Sequence, residues 1–93
     1  MVIGILQLEL RIAESHSLKE KRMVLKSIKD RLRRKFNISV AEINNQDLWQ
    51  SSCLGIATIG NDKRYLNGLL SQVERWIERE RRAELVSSQM EFL

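Results

Sequence analysis

The chain has 93 residues, 43% of them hydrophobic and 30% charged, and it contains no proline. This composition excludes the disordered and collagen-like classes, and the length predicts a single domain over residues 1–93. Sixteen lysines and arginines against twelve acids give a net charge of +4. One cysteine and one histidine exclude an internal disulfide and a structural zinc site, so we expect no metal and no cofactor. No uninterrupted apolar run approaches the length of a membrane span, and we expect a cytoplasmic protein with no membrane partner.

The first third of the chain predicts a strand followed by a long helix. From Leu6 to Ile12 an apolar residue alternates with a polar one, which is the period of a half-buried strand. Ser17 and Glu20 have the spacing of a capping box, in which two side chains satisfy free N–H groups at a helix start. Apolar residues then recur at helical spacing, and Asn37 is predicted to end the helix in a left-handed conformation. These apolar positions are Leu18, Leu25, Ile28, Leu32 and Phe36.

The middle of the chain predicts two strands joined by a polar turn. Residues 38–43 form the first strand, residues 44–47 the turn, and residues 49 or 50 to 59 the second strand. Residues 60–62, Gly-Asn-Asp, supply another turn and the cap of a second helix. The turn residues therefore separate the two strands from each other and from the helix that follows.

The last third predicts a second helix and a fourth strand. One face of the helix is apolar at helical spacing, and its end, residues 74–82, alternates in charge with Glu78 and Arg82 as an i, i+4 pair. Residues 83–93 form the strand, in which Val86, Met90 and Phe92 are predicted to share one side. The apolar helix positions are Leu66, Leu69, Leu70, Val73, Trp76 and Ile77.

The order β-α-β-β-α-β predicts the fold class. Two similar halves of strand, helix and strand are typical of an α+β ferredoxin-like sandwich, with two helices on one face of a four-stranded antiparallel sheet.

The sequence also resembles the YlxP-like family of small bacterial proteins. The resemblance rests on residues 17–22 (SLKEKR), 36–42 (FNISVAE), 46–50 (QDLWQ) and 60–62 (GND), in that order along the whole chain. It implies a ferredoxin-like domain in a cytoplasmic bacterial protein, and a genomic setting near translation-initiation and ribosome-maturation factors. The family is known as a domain of unknown function, so it implies no catalytic or binding residue.

The first helix concentrates the positive charge of the chain. Residues 19–35 hold nine lysines and arginines against two acids, a net +7, whereas the rest of the chain holds seven against ten, a net −3. At about 100° per residue, five cations fall within an arc of about 80° and run along about 21 Å of helix. This spacing suits contacts to a phosphate backbone, and we predict that structured RNA or the ribosome is the partner. The five predicted contacts are Lys19, Arg22, Lys26, Lys29 and Arg33.

Two other interpretations of these cations remain open. They can form a solvated helix face, with the last ones complementing the helix dipole, or they can contact an acidic protein. Arg81 and Arg82 would extend the basic surface only if the two helix ends lie close together. The strands carry none of the aromatic residues on which RNA-recognition domains stack bases.

Nothing in the sequence predicts an enzyme. His16 is expected in a turn, Cys53 as a buried, unreactive thiol, and Glu42 with Asp47 as exposed hairpin residues. Trp49 is the candidate partner-binding residue, with a cover over the sheet or core edge as its alternative.

The third strand predicts self-association. Residues 53–59 are almost continuously apolar, whereas a strand with one wet face alternates. A second copy covering the open sheet face or an edge strand would explain this, and we predict a homodimer or higher oligomer. The competing functional hypothesis is therefore a homo-oligomeric protein-interaction module with no nucleic-acid role. A ligand-binding regulatory domain is a third possibility, by fold analogy alone.

Overall fold

The computed structural model describes all residues, 1–93, and has the predicted order of elements. Each of the four strands and two helices lies within a few residues of its expected position, because the apolar periods and the turn residues between them are unambiguous. The elements are β1 (Val2–Arg11), α1 (Leu18–Lys35), β2 (Ser39–Asn44), β3 (Ser51–Gly60), α2 (Lys63–Glu78) and β4 (Glu84–Phe92).

The four strands form one antiparallel sheet in the order β2-β3-β1-β4. Leu6, at the middle of the sheet, lies opposite Ile56 on β3 and Met90 on β4. Both helices pack on the same face of the sheet, so the predicted ferredoxin-like α+β fold is confirmed. The other face of the sheet carries no second layer, and we call it the open face.

The core lies between the helices and the sheet. Alternate residues of β1 point into it, as the polar–apolar alternation predicts, while Gln7, Glu9 and Arg11 are exposed on the open face. Burying these aliphatic side chains contributes about 1.5–3 kcal/mol each relative to exposure. The core members are Leu6, Leu8, Leu10, Ile12, Leu25, Ile28, Leu32, Phe36, Val40, Leu54, Ile56, Leu70, Val73, Ile77 and Ala83. Neither helix has the length and hydropathy that crossing a membrane requires.

Both ends of α1 differ in detail from the prediction. The Ser17 hydroxyl accepts the Glu20 N–H at 3.1 Å, as in a capping box, but the Glu20 carboxylate accepts the His16 N–H at 2.8 Å instead of that of Ser17. The helix ends at Lys35, and Phe36 turns to an extended conformation. The prediction that Asn37 adopts a left-handed conformation is wrong, because burial of Phe36 redirects the chain before that residue.

Helix α2 begins as predicted, but it ends before the predicted pair of Glu78 and Arg82 is complete. Asp62 caps the helix by accepting the N–H groups of Arg64 and Tyr65. The helix stops at Glu78, so Arg82 lies in the connection to β4 and forms no i, i+4 pair with Glu78. Arg82 instead pairs with Glu80 at 3.8 Å.

Two irregularities place aliphatic side chains at one end of the sheet. The β1–β4 register shifts between Glu9 and Leu10, where Val86 is the extra residue, and the β2–β3 register shifts beside Ile43. The prediction that Val86 shares a side with Met90 and Phe92 is wrong. Leu85 takes that position, because a bulge reverses the alternation, and Val86 is exposed.

Candidate nucleic-acid interface on helix α1

Helix α1 has a buried side and two flanks with different surroundings. Leu25, Ile28 and Leu32 face the core. One flank, which we call the α2-facing flank, carries Ser27 and Arg31 and contacts the end of α2. The other, the β2-facing flank, carries the five predicted RNA-binding cations, which we call the basic stripe.

The basic stripe lies along the edge strand β2. The guanidinium of Arg33 donates to the Val40 carbonyl at 2.9 Å, which fixes one end of the stripe beside that strand. This contact also occupies a carbonyl on an edge strand, where an unpaired backbone group would otherwise favour pairing with another chain. Arg33 therefore has a structural role whether or not it contacts a ligand.

Only one acid lies among these cations. The Asp30 carboxylate binds the Lys26 ammonium at 2.9 Å and the Arg33 guanidinium at 3.5 Å. The hydrogen bond from Lys26, followed by the charges of the nearby cations, holds the pKa of Asp30 below its usual value, so it is ionised at neutral pH. Lys19, Arg22 and Lys29 make no ion pair. The stripe keeps a net charge of +4 after Asp30 is counted.

The cations on the α2-facing flank are engaged within the molecule. Arg31 binds Glu80 at 2.8 Å, and its guanidinium lies 5.1 Å from the centre of the Trp76 ring. Arg82 contacts the same carboxylate and donates to the Ser27 hydroxyl at 3.3 Å. The end of α2 thus lies beside α1, but on the flank away from the stripe. Arg82 therefore does not extend the stripe.

A buried ion pair lies beneath the first turn of α1. Lys21 is fully buried, and its ammonium binds the Glu42 carboxylate at 2.9 Å and the Asn45 carbonyl. Glu42 also accepts the Ser52 hydroxyl at 2.7 Å. Asn45 has a φ of 66°, a left-handed conformation that asparagine tolerates at the turn between β2 and β3. The network therefore joins the start of α1 to this turn.

The prediction that Glu42 is exposed is wrong, and the role of Lys21 was not predicted. Glu42 is expected to be exposed, but it lies on the helix-covered side of β2, two residues after buried Val40. Lys21 precedes Leu25 and Ile28 at helical spacing, so its position on the apolar side was a usable signal. Asp47 is exposed as expected, and no group of three or more potential metal ligands is present.

Trp49 lies at the end of the open face, away from the hydrophobic core. Its side chain is 54% exposed, so it does not close the core, but it lies beside Arg11 and Val86 over the edge of the sheet. With Leu48 and Val86, which are similarly exposed, it lines a shallow cavity of about 530 Å³ that also includes Arg11. Gln50 fixes the β2–β3 turn, which carries Trp49, against the β1–α1 connection. Its side-chain amide donates to the carbonyls of residues 13 and 15.

Cys53 lies on the open face, beside Glu9 of β1. Its thiol is half-buried, and burial, with smaller effects from the carboxylates of Glu9 and Glu42, raises its pKa. A thiol with a raised pKa is a poor nucleophile at neutral pH, because the thiolate is the reactive form.

A protein family model matches most of the length of the chain. The model for the family "Protein of unknown function (DUF503)" matches residues 3–90. The chain is also 40% identical over 77 residues to "Uncharacterized protein YlxP" of Bacillus subtilis (strain 168), covering 83% of this chain and 84% of the relative. The predicted resemblance to YlxP-like bacterial proteins is confirmed.

Proposed function

The chain belongs to the DUF503 family of proteins of unknown function, and we propose that it is a non-catalytic protein that binds structured RNA or the ribosome through the basic stripe of α1. The proposal rests above all on one observation. Three of the five stripe cations, Lys19, Arg22 and Lys29, have no acidic partner in the molecule, and a single carboxylate serves the other two.

The placement of the stripe supports contacts to a phosphate backbone. Its members follow the helix axis at intervals of three or four residues, which spreads them over about 21 Å. Charges of one sign on a surface repel one another, and Lys19, Arg22 and Lys29 have no intramolecular ion pair to offset this repulsion. A polyanion that replaces its counterions with these side chains would gain affinity from their release.

The same surface favours recognition by shape and not by base sequence. The stripe contains no aromatic side chain on which a base could stack, and its long cations reach phosphates more readily than base edges. Affinity should therefore differ little between RNAs of different sequence and similar shape. This expectation distinguishes the stripe from a sequence-reading surface.

A salt-dependent RNA titration tests the proposal. Labelled structured ribosomal RNA fragments are titrated at 50 and 200 mM salt, a range over which several phosphate contacts cost orders of magnitude in affinity. The variant Lys26→Glu/Lys29→Glu/Arg33→Glu should bind at least tenfold more weakly. Circular dichroism establishes that it is folded, which matters because Arg33 also contacts the backbone of β2.

A matched variant distinguishes the effect of the stripe cations on RNA affinity from the effect of net charge. Arg64→Glu/Arg75→Glu/Arg79→Glu makes the same change in charge on and beside α2, at exposed arginines with no ion pair. It should retain most of the RNA affinity if the stripe is the contact. Equal losses in both variants would reduce the effect to non-specific charge and contradict the proposal.

A second candidate function is a homo-oligomeric protein-interaction module on the open face. The half-exposed cluster of Trp49, Leu48 and Val86 favours it, because apolar patches of this kind are typical of protein contacts. Under this hypothesis Trp49→Ala would weaken association more than any charge reversal on α1, and the association would depend little on salt. Measuring both variants in both assays distinguishes the two functions.

A further inference from the structure

We infer that the open face of the sheet is an interface between two copies of this chain, joined face to face. The inference rests on the second candidate function and specifies which residues form the contact and how the two copies meet. It is independent of RNA binding by the basic stripe. A second copy would supply the layer that covers the apolar side of β3.

The centre of the proposed interface is uncharged and apolar. We call it the open-face patch, and it lies mainly on β2 and β3, next to the middle of β1. The register places Ala57 between Ile5 and Ser39, and Gly55 between Gln7 and Ala41. Ile59, at the end of β3, is 60% exposed. The patch comprises Ile5, Ala41, Ile43, Gly55, Ala57 and Ile59.

The surface of the open-face patch is also flat. A Cβ on Gly55 would lie 2.8 Å from a methyl carbon of Ile43, so the isoleucine side chain lies across the glycine. The residue shift beside Ile43 gives it this position, on the outer side of β2. Small residues at 41, 55 and 57 leave few projections there. Two flat sheet faces can therefore approach to the separation of about 10 Å that is typical of packed sheets.

The whole open face, which includes Glu9, Arg11 and Glu91 around the patch, has an area that is sufficient for a stable pair. Strands of up to ten residues rise about 3.3 Å per residue, and four of them span about 19 Å, so the face measures roughly 550 Å². A pair that covers the whole face, with these polar and charged residues at the margin of the interface, would bury roughly 1,100 Å². Specific interfaces generally exceed about 1,000 Å².

Charge favours this face over the helix layer for self-association. A symmetric pair sets each patch against itself, which suits an uncharged surface. Two copies meeting through their helices would bring two segments of net charge +7 together. In the face-to-face arrangement both basic stripes lie on the outside, separated by two sheets, well beyond the screening length of about 8 Å at physiological salt.

Mass measurement across a range of protein concentration tests the inference. Multi-angle light scattering or sedimentation equilibrium should give twice the chain mass of 10.9 kDa at high micromolar concentration. Ala57→Lys or Ile59→Lys should shift the protein to the chain mass, because each would bury an unpaired charge in the pair. Met23→Lys is the matched control, since it adds a lysine at an exposed apolar residue of α1 and should leave the mass unchanged.

Alkylation of the single cysteine gives a second readout that does not need a variant. Cys53 lies on the open face, so a second copy should protect its thiol. At mildly alkaline pH the rate should fall as protein concentration rises, and Ile59→Lys should remove this dependence. A wild-type protein that keeps the chain mass and alkylates at one rate throughout would overturn the inference.

RNA titration of the same variants distinguishes failure of the open-face interface from failure of RNA binding by the basic stripe. Ile59→Lys should still bind RNA, more weakly only to the extent that two stripes in one dimer bind better than one. Loss of the dimer mass with RNA binding retained would support both proposals. A wild-type monomer that binds RNA would contradict only the interface.

Discussion

The two flanks of α1 differ in how far their cations are paired within the molecule. On the α2-facing flank, Arg31 is held by the Glu80 carboxylate and the Trp76 ring, and Arg82 reaches the same acid. On the β2-facing flank, the basic stripe has one shared acid and three cations with no ion pair. The difference indicates that intramolecular pairing, and not charge alone, determines which cations remain unpaired at the surface.

Lys21 represents a third use of charge on the same helix. It is fully buried beneath the stripe and joins α1 to β2 through Glu42 and to the following turn through Asn45. Its neighbour Arg22 is exposed. Within two adjacent residues, the helix therefore has one cation that stabilises the fold and one that is available for binding.

The largest expected effect is that of removing the buried cation. Lys21→Met leaves the largely buried Glu42 carboxylate without its cation, and we expect the free energy of unfolding to fall by about 3–5 kcal/mol. Urea unfolding measures this loss. Lys21→Met/Glu42→Leu should recover most of it, since replacing both partners by apolar groups is often neutral. If Lys21→Met is as stable as the wild type, the ion pair between Lys21 and Glu42 does not stabilise the fold.

A smaller effect is expected on the α2-facing flank. Glu80→Gln removes the carboxylate that Arg31 and Arg82 share, and stability should fall by about 1 kcal/mol because both arginines are substantially exposed. RNA affinity should stay within about twofold of the wild type, since the freed cations lie away from the stripe. A marked gain in affinity would instead place RNA on this flank and contradict the distinction between the two.

The smallest effect is expected at Asp30. Asp30→Asn removes the one acid of the stripe, and RNA affinity should rise by less than about tenfold, as expected for an exposed charge. Fluorescence titration at low salt measures the change. Unchanged or weaker binding would count against the stripe as the RNA contact.

The same carboxylate gives a pH dependence. Because the pKa of Asp30 is lowered by folding, its pairs with Lys26 and Arg33 stabilise the protein above the ordinary pKa of aspartate. This contribution is lost as the pH falls through the lowered pKa. The difference in melting temperature between wild type and Asp30→Asn should therefore be present at neutral pH and disappear in acid. A constant difference would indicate another cause.

The fold was predictable from local patterns, whereas the pairing of charges was not. Alternation in β1 and the caps at Ser17 and Asp62 identify the elements, because these signals lie within a few residues of one another. The contacts of Glu42 with Lys21 and of Glu80 with Arg31 join residues far apart in the chain. Their partners follow from tertiary structure, which the composition of a helix does not specify.

The two bulges likewise make the shape of the open face hard to predict from the sequence. The apolar run of β3 correctly indicates an apolar surface on both sides of that strand. The sequence does not indicate that Val86 leaves the buried side of β4, or that Ile43 lies over Gly55, since each depends on a register shift between two strands. The composition of the face was therefore predictable, but its shape was not.

The proposed contact between RNA and the β2-facing flank of α1 is tested most directly by the salt dependence of binding. The slope of log K against log salt is measured for wild type, for Lys19→Gln/Arg22→Gln/Lys29→Gln, and for Arg31→Gln/Arg82→Gln, each shown to be folded. We predict that the slope decreases by about two to three for the stripe variant, since each lost phosphate contact removes nearly one unit. The α2-facing variant should keep the wild-type slope. Equal slopes in the stripe variant and the wild type, or an equal decrease in both variants, would contradict RNA binding through the basic stripe.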